Sequence, residues 1–307
     1  MVFRFLFLCM LLIAGCASPE VPDDGRLSVV ATTSIVADLV NQIGGDAVRV
    51  TALMGPGIDP HLYKASEGDV TRMASAEAIF YNGLYLEGRM VEVFEQMQQR
   101  GLPTVAVAAE GVPDSLLVDS PTYAGNFDPH IWFDVSLWIR AAEVVRDRLA
   151  EIDPERADTY RTNAEAYLAE LKDLDAYVRE RTQEVPELQR VLVTAHDAFG
   201  YFGEAYGFEV RGLQGVSTAA EAGTGDVQDL TQFIVERGIP AMFVESSVPP
   251  RTIEAVQAAV RARGASVEIG GSLYSDALGD PNGPAGTYIG TVRHNVDTIV
   301  GALSTGS

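Results

Sequence analysis

The sequence predicts an α/β protein of two lobes, each a mostly parallel sheet flanked by helices, joined by one long backbone helix. In both halves of the 307-residue chain, short apolar segments alternate with amphipathic helical patterns. Such alternation is typical of parallel sheets. Between the halves, residues 153–187 contain no glycine and are rich in Ala, Glu, Arg and Leu. This composition indicates a long helix that links the lobes.

The first residues are predicted to form an export signal rather than part of the fold. Arg4 precedes an apolar run over residues 5–13, which is too short to span a bilayer as a helix. The run leads into the sequence IAGC, which resembles the lipobox of bacterial lipoproteins. Residues 1–15 are therefore predicted to be a lipoprotein signal peptide, with lipid on Cys16 and a tether over 16–26. An ordinary signal peptide with a chance cysteine is the alternative.

The N-terminal lobe is predicted over residues 27–152. A helix is expected after Ser66, because Asp69 follows it at the spacing of a capping box. Another is expected after Asp134, where apolar residues recur at helical spacing. The remaining helix and the strands are predicted at 34–43 and at 27–31, 48–54, 78–81 and 104–107.

The linking helix is predicted over residues 153–187. Pro154 suits a first helical turn, and about 30 residues at about 1.5 Å each would give a helix roughly 45 Å long. Two helices with a bend near Asn163 are the alternative. A single helix would limit how far the lobes can hinge apart.

The C-terminal lobe is predicted over residues 188–307 and repeats the alternation. Its strands are predicted at 190–195, 209–213, 239–244 and 266–269. Its helices are predicted to begin near Phe199 and to cover 228–237, 250–263 and 288–303.

Composition excludes several classes of partner and site. Lys and Arg number 22 against 43 Asp and Glu, giving a formal net charge of −21. Nucleic acid and anionic lipid surfaces attract clustered positive charge, so neither is predicted as an electrostatic partner. The chain has two cysteines. If Cys16 is lipidated and the signal removed, no free thiol remains for a disulfide or a cysteine metal site.

Three of the four histidines indicate a metal site. His61, His130 and His196 each follow a strand signal, and open α/β sheets bind ligands at the carboxyl ends of their strands. Asp-Pro precedes His61 and His130, and proline stiffens the local backbone. Imidazole is also the commonest metal ligand. His294 lies inside the last helical pattern and is predicted to be a packing or surface residue.

A three-histidine site often includes a carboxylate, and the second half offers two after strand signals. These are Glu245 and Asp276, and spacing alone does not choose between them. Three nitrogens and one carboxylate suit tetrahedral Zn²⁺, whereas Mn²⁺ prefers more oxygen ligands. A carboxylate that binds with both oxygens would blur that distinction.

Seven segments, in order, carry a resemblance to a known family. They read VVATTSIVADLV, GIDPHLYKAS, DPHIWFDV, TAHDAFGYF, FVESSVPPRTIEAV, GGSLYSDALG and TYIGTVRHNVDTIV. Together they resemble the metal-binding lipoproteins of zinc and manganese ABC importers, also called cluster A-I or cluster 9 solute-binding proteins. The resemblance implies one metal ion between the lobes, held by His61, His130, His196 and Asp276. It implies that Glu245 contacts a ligand or supports the structure without binding the metal.

The resemblance implies capture and delivery of a metal ion, without catalysis. The cargo would be Zn²⁺, with Mn²⁺ next and Fe²⁺ less favoured. Residues 109–127 contain no histidine, so the histidine-rich loop of many zinc-scavenging relatives is absent. The partners would be an ABC permease and ATPase, and a bacterial membrane through lipidated Cys16, with the protein on the periplasmic or outer side as a monomer. Trp132 either shields the site from water or is an ordinary core residue.

Two other functions remain open at this point. A secreted zinc hydrolase would keep a coordination position for water, with Glu245 as a general base if Asp276 is not a ligand. The sequence HExxH is absent. A receptor for a small organic solute would need an aromatic-lined cleft of about 300–1,000 Å³, with the histidines incidental.

Overall fold

The computed structural model describes residues 24–120, 123–124 and 126–304. The predicted signal peptide and Cys16 lie outside these residues, as does the tether before Asp24. Within the described ranges, no helix is both long and apolar enough to cross a membrane.

The N-terminal lobe contains a four-stranded parallel sheet in the order β2-β1-β3-β4. Because β1 is central, Val29 pairs with Val50 on one side and Ala78 on the other. The strands are β1 (Leu27–Ala31), β2 (Val48–Ala52), β3 (Ala78–Tyr81) and β4 (Thr104–Ala106). The helices are α1 (Ser34–Gly44), α2 (Glu67–Ala74), α3 (Val91–Gln99), α4 (Val107–Gly111) and α5 (Val135–Ile152).

Side-chain caps explain where these helices begin. The Thr33 hydroxyl accepts the N–H of Val36 at the start of α1. The capping box predicted at Ser66 is confirmed, since Ser66 and Asp69 bind each other's backbone N–H. The sequence patterns did not predict α3 and α4, which are short.

One long helix joins the lobes, as predicted. It is α6 (Ala157–Thr182), preceded by a 3-10 turn over Pro154–Arg156. The helix is continuous through Asn163, so the alternative of two bent helices is wrong. It ends at Thr182, short of the predicted end at 187. It packs against α1 and α5 on the N-terminal side and against the last helix of the C-terminal lobe.

The C-terminal lobe contains two parallel strand pairs. They are β5 (Val191–His196) with β6 (Glu209–Gln214), and β7 (Ala241–Glu245) with β8 (Glu268–Leu273). Strands β5 and β7 lie side by side. The helices are α7 (Gly200–Tyr206), α8 (Thr224–Arg237), α9 (Arg251–Ala262) and α10 (Tyr288–Leu303).

Strand β8 differs from the predicted strand at 266–269. Two glycines interrupt its apolar pattern, yet the strand continues to Leu273. Gly271 has φ of 146°, and the pairing shifts register between Met242 and Phe243 of β7. Only glycine adopts such a backbone without strain, so the glycines form a bulge instead of ending the strand.

One apolar cluster extends across both lobes, and each lobe has a further cluster of its own. A single cluster of buried side chains includes Val29 of β1, Leu171 of α6 and Ile299 of α10. Polar contacts also cross between the lobes: the N–H of Leu278 donates to Ser34, and the N–H of Tyr288 donates to Asp38. These contacts hold the strand ends of the two lobes against each other.

Candidate metal centre

Four buried side chains converge between the lobes, and they are the four named from the sequence. His61, His130, His196 and Asp276 place one nitrogen or oxygen each within 4.8 Å of one another. His61 Nε2 lies 3.3 Å from His130 Nε2. The Asp276 oxygens lie 3.4 Å from Nε2 of His130 and 3.4 Å from Nε2 of His196.

These three separations have the size found between ligand atoms of one metal ion, and the two from Asp276 start at different oxygens, so this carboxylate can bind with one oxygen or with both. Four ligand atoms at about 2.0–2.1 Å from a tetrahedral Zn²⁺ are separated from one another by about 3.3–3.4 Å. His196 Nε2 and Asp276 Oδ1 are buried and have no hydrogen-bond partner. Buried polar atoms without partners are costly in a folded protein. A cation between them would satisfy both.

His61 is fixed by the turn that precedes it. Asp59 Oδ1 accepts the backbone N–H of His61 at 2.9 Å. Asp59 Oδ2 accepts the hydroxyl of Thr218, from the other lobe, at 2.6 Å. The Asp-Pro-His sequence thus forms a turn closed by its own carboxylate, in addition to the stiffening by proline.

His130 repeats this arrangement and extends it to the ring. Asp128 Oδ1 accepts the backbone N–H at 2.9 Å and lies 2.6 Å from Nδ1 of the same residue. Since a carboxylate only accepts, Nδ1 carries a proton, and Nε2 is the nitrogen that faces the centre and offers its lone pair to a metal ion once the ring is neutral. Asn82 donates to the carbonyl of Pro129 and so ties this turn to the end of β3.

His196 ends β5, and its partner is Glu245 at the end of neighbouring β7. Glu245 Oε1 accepts the backbone N–H of His196 at 2.8 Å, and Oε2 lies 2.6 Å from Nδ1. Nε2 therefore faces the centre, as in His130. Glu245 lies behind the imidazole, and the group of four converging side chains does not include it.

Asp276 follows β8 and is held by neighbours from its own lobe. The Ser247 hydroxyl donates weakly to Asp276 Oδ2 at 3.3 Å and lies 2.6 Å from the hydroxyl of Ser275. Trp132, of the other lobe, donates its indole N–H to the carbonyl of Ser275 at 3.0 Å. Its ring lies edge-on to His130, with centroids 5.1 Å apart. Trp132 therefore links the turn of His130 to the loop of Asp276.

Burial and the carboxylates set the charge of the imidazoles. Burial lowers the pKa of His61 to about 3, so this ring is neutral. Burial also opposes charge on His130, but Asp128 and Asp276 outweigh it and raise its pKa to about 9. The pKa of His196 is likewise raised, against burial, by Glu245 and Asp276. The carboxylates thus favour positive charge in this site, which protons or a metal ion can supply.

A cavity of about 410 Å³ borders His61 and opens towards the surface. The N-terminal lobe contributes Tyr85, Arg89 and Tyr123, and the C-terminal lobe contributes Ser217 and Ala219. We call this cavity the mouth of the site. The other three converging side chains are at most 1% exposed, so His61 is the one nearest to solvent.

Sequence reasoning did not identify Asp59, Asp128 and Thr218 as contributors. The two Asp residues carried a signal, because both precede a histidine by two positions in the same Asp-Pro-His order. Thr218 carried none, since its contact with Asp59 spans 159 positions of the chain. His294, predicted to be a packing or surface residue, is exposed and lies against Ser272.

The chain is similar to known metal-binding proteins. Residues 29–302 match the family model described as "ZnuA: Zinc-uptake complex component A periplasmic". The chain is 48% identical over 287 residues to the "Zinc-binding protein TroA" of Treponema pallidum, covering 94% of this chain and 92% of that protein. It is 46% identical over 294 residues to the "Manganese-binding lipoprotein MntA" of Bacillus subtilis, covering 95% of each. The solved structure of periplasmic zinc-binding TroA from T. pallidum superposes with a TM-score of 0.88 at 49% identity, covering 91% of this chain and 100% of that one.

Proposed function

The chain belongs to the family of the periplasmic zinc-uptake complex component A, and we propose that it captures a divalent transition metal ion and delivers it to an ABC permease. The observation that carries this proposal is the convergence of His61, His130, His196 and Asp276 at the separations a metal ion needs. We favour zinc as the cargo, with manganese next. Relatives of nearly equal similarity are named for binding each of these metals.

Capture follows from where the ligands lie. His61 and His130 belong to the N-terminal lobe, and His196 and Asp276 belong to the C-terminal lobe. Both pairs bind one ion only when the lobes are together. A ligand shifts a conformational equilibrium by its difference in affinity for the two states, so the metal ion stabilises the closed form. A permease can then distinguish the loaded receptor from the empty one.

The same geometry supports a receptor over a hydrolase. A catalytic zinc site keeps a position open for water, whereas Asp276 fills the fourth position here. Glu245, the residue a hydrolase would need as general base, is bound to His196 through both oxygens. The comparisons give no support to an organic-solute receptor.

The remaining parts of the proposal concern location and partners. We propose that the protein acts outside the cytoplasm, anchored by lipid on Cys16, as a monomer. Relatives named as lipoproteins of metal ABC transporters support this placement. ATP hydrolysis belongs to a separate subunit, because the chain has no GxxxxGK[ST] sequence.

Metal titration of the purified protein tests the proposal. The protein is stripped with a chelator and titrated with Zn²⁺ and Mn²⁺ in competition with a chromophoric indicator. We expect one tight equivalent in wild type and in His294→Ala. His61→Ala should weaken metal binding by more than the roughly 10–100-fold that is typical when a hydrogen-bond partner of a metal ligand is removed. Its turn keeps the bond from Asp59, which binds the backbone. Equal metal binding by wild type and His61→Ala would contradict the proposal.

A further inference from the structure

A loop of the C-terminal lobe reaches across to the turn that carries His61. Residues 215–223 connect β6 to α8 and have no regular secondary structure. Within this loop Thr218 is only 7% exposed. Its hydroxyl donates to Asp59 Oδ2 at 2.6 Å, and this bond joins the two lobes.

Asp59 connects Thr218 to the metal-ligand candidate His61. Its Oδ1 accepts the backbone N–H of His61, while its Oδ2 accepts the Thr218 hydroxyl. The two oxygens of one carboxylate therefore connect the loop to the backbone of His61. Hydrogen bonds to a charged acceptor are about twice as strong as neutral ones.

The loop also forms one wall of the mouth. Ser217 and Ala219, on either side of Thr218, line the cavity beside His61 and opposite Tyr123. Other hydrogen bonds of the loop stay within the C-terminal lobe: the N–H of Ala219 donates to Ser217 at 3.2 Å, the N–H of Asp197 donates to the carbonyl of Gly215 at 3.4 Å, and the N–H of Gly223 donates to Asp226 at 2.7 Å. The bond from Thr218 crosses to the opposite lobe and so holds this wall against it.

We propose that Thr218 is a positioning residue that controls how fast the metal ion leaves. This inference rests on the proposed function, since it assumes that the site holds a metal ion. The bond to Asp59 exists only when the lobes are together, so it slows opening rather than first contact with the ion. Loss of the hydroxyl should speed metal dissociation about tenfold, the effect of one bond to a charged group. The association rate should stay within about twofold of wild type.

A chelator chase on the purified protein measures this rate. The protein is loaded with Zn²⁺ and mixed with excess chelator, and dissociation is followed for wild type, Thr218→Val and Thr218→Ser. Valine keeps the branched shape without the hydroxyl, and serine keeps the hydroxyl. The matched control is Thr252→Val, the same change at a threonine of the C-terminal lobe whose hydroxyl donates to the carbonyl of Pro249, away from the mouth. Fast release from Thr218→Val, and near-wild-type release from the serine and control variants, would support the proposal.

Three results would overturn it. One is an unchanged dissociation rate in Thr218→Val. Another is equal acceleration in Thr218→Val and Thr252→Val, which would assign the effect to the loss of a threonine hydroxyl in general. The third is a lowered melting temperature of metal-free Thr218→Val with slower association, which would indicate a structural defect. A wild-type protein that binds no Zn²⁺ would overturn the proposed function as well, whereas the other results leave that function standing.

Discussion

Replacement of Glu245 by Gln tests whether the partner behind an imidazole sets the metal affinity. Glu245 accepts two hydrogen bonds from His196, at the backbone N–H and at Nδ1. Glutamine has one carbonyl oxygen and one NH₂ group, so it can match only one of them. If the NH₂ faces Nδ1, the imidazole must carry its proton on Nε2, the nitrogen that faces the centre. That tautomer has no lone pair for a metal ion.

The opposite orientation of the amide places its NH₂ against the backbone N–H of His196. One charge-assisted bond is then lost, at a cost of about 1.5–3 kcal/mol. At about 1.4 kcal/mol per factor of ten, this predicts a 10–100-fold loss of affinity for Zn²⁺. The estimate agrees with the general effect of removing such partners.

Competition titration with a zinc indicator measures the effect of Glu245→Gln. The matched control is Glu236→Gln, the same chemical change on the exposed face of α8. The control should bind like wild type. An affinity of Glu245→Gln within twofold of wild type, in a protein with an unchanged circular dichroism spectrum, would refute the reasoning.

Three further outcomes are expected. Asp128→Asn should weaken Zn²⁺ binding about 10–100-fold by the same tautomer argument at His130, and unchanged binding in the titration would contradict it. Metal binding at pH 7 should release protons, because the pKa of His130 is raised to about 9 without metal. The metal affinity should therefore fall as the pH falls. Calorimetry in buffers of different ionisation enthalpy measures the number of protons released. Leu171→Ala, in the shared core, should lower the free energy of unfolding by about 2–5 kcal/mol, measured in urea against the exposed control Lys172→Ala.

Much of the fold was predictable because local patterns and tertiary packing agree. The apolar segment at Leu27–Ala31 becomes the buried central strand, and the glycine-free region becomes α6. The predicted ends of some elements were wrong where contacts in the folded protein override the local sequence pattern. The glycines of β8 suggest a strand end, but a bulge opposite β7 accommodates them. Helix α8 begins at Thr224, earlier than the predicted 228, because Asp226 caps its first turn.

The sequence identified some residues of the site more directly than others. The histidines were predicted from strand signals, and the structure brings three of them together. The strand expected before His130 is wrong, because this residue lies in a turn that follows an isolated bridge at Phe127. Spacing alone did not choose between Glu245 and Asp276, because both lie at or beyond strand ends of the same lobe, and the family resemblance named Asp276. The choice depends on which strand lies beside β5: β7 does, so Glu245 reaches the Nδ1 side of His196. Asp276 lies three residues beyond β8 and approaches the Nε2 side.

Each lobe holds its own half of the site. Asp59 and Asp128 fix the backbones of the N-terminal pair of histidines, and Glu245 fixes His196 from within its own lobe. Two further contacts cross between the lobes, from Trp132 to Ser275 and from Thr218 to Asp59. An open half-site offers a metal ion two ligands, whereas the closed site offers four. The difference between the ion's affinities for the closed and open forms would therefore drive closure, and a residue that holds the lobes together would also strengthen the binding of the ion.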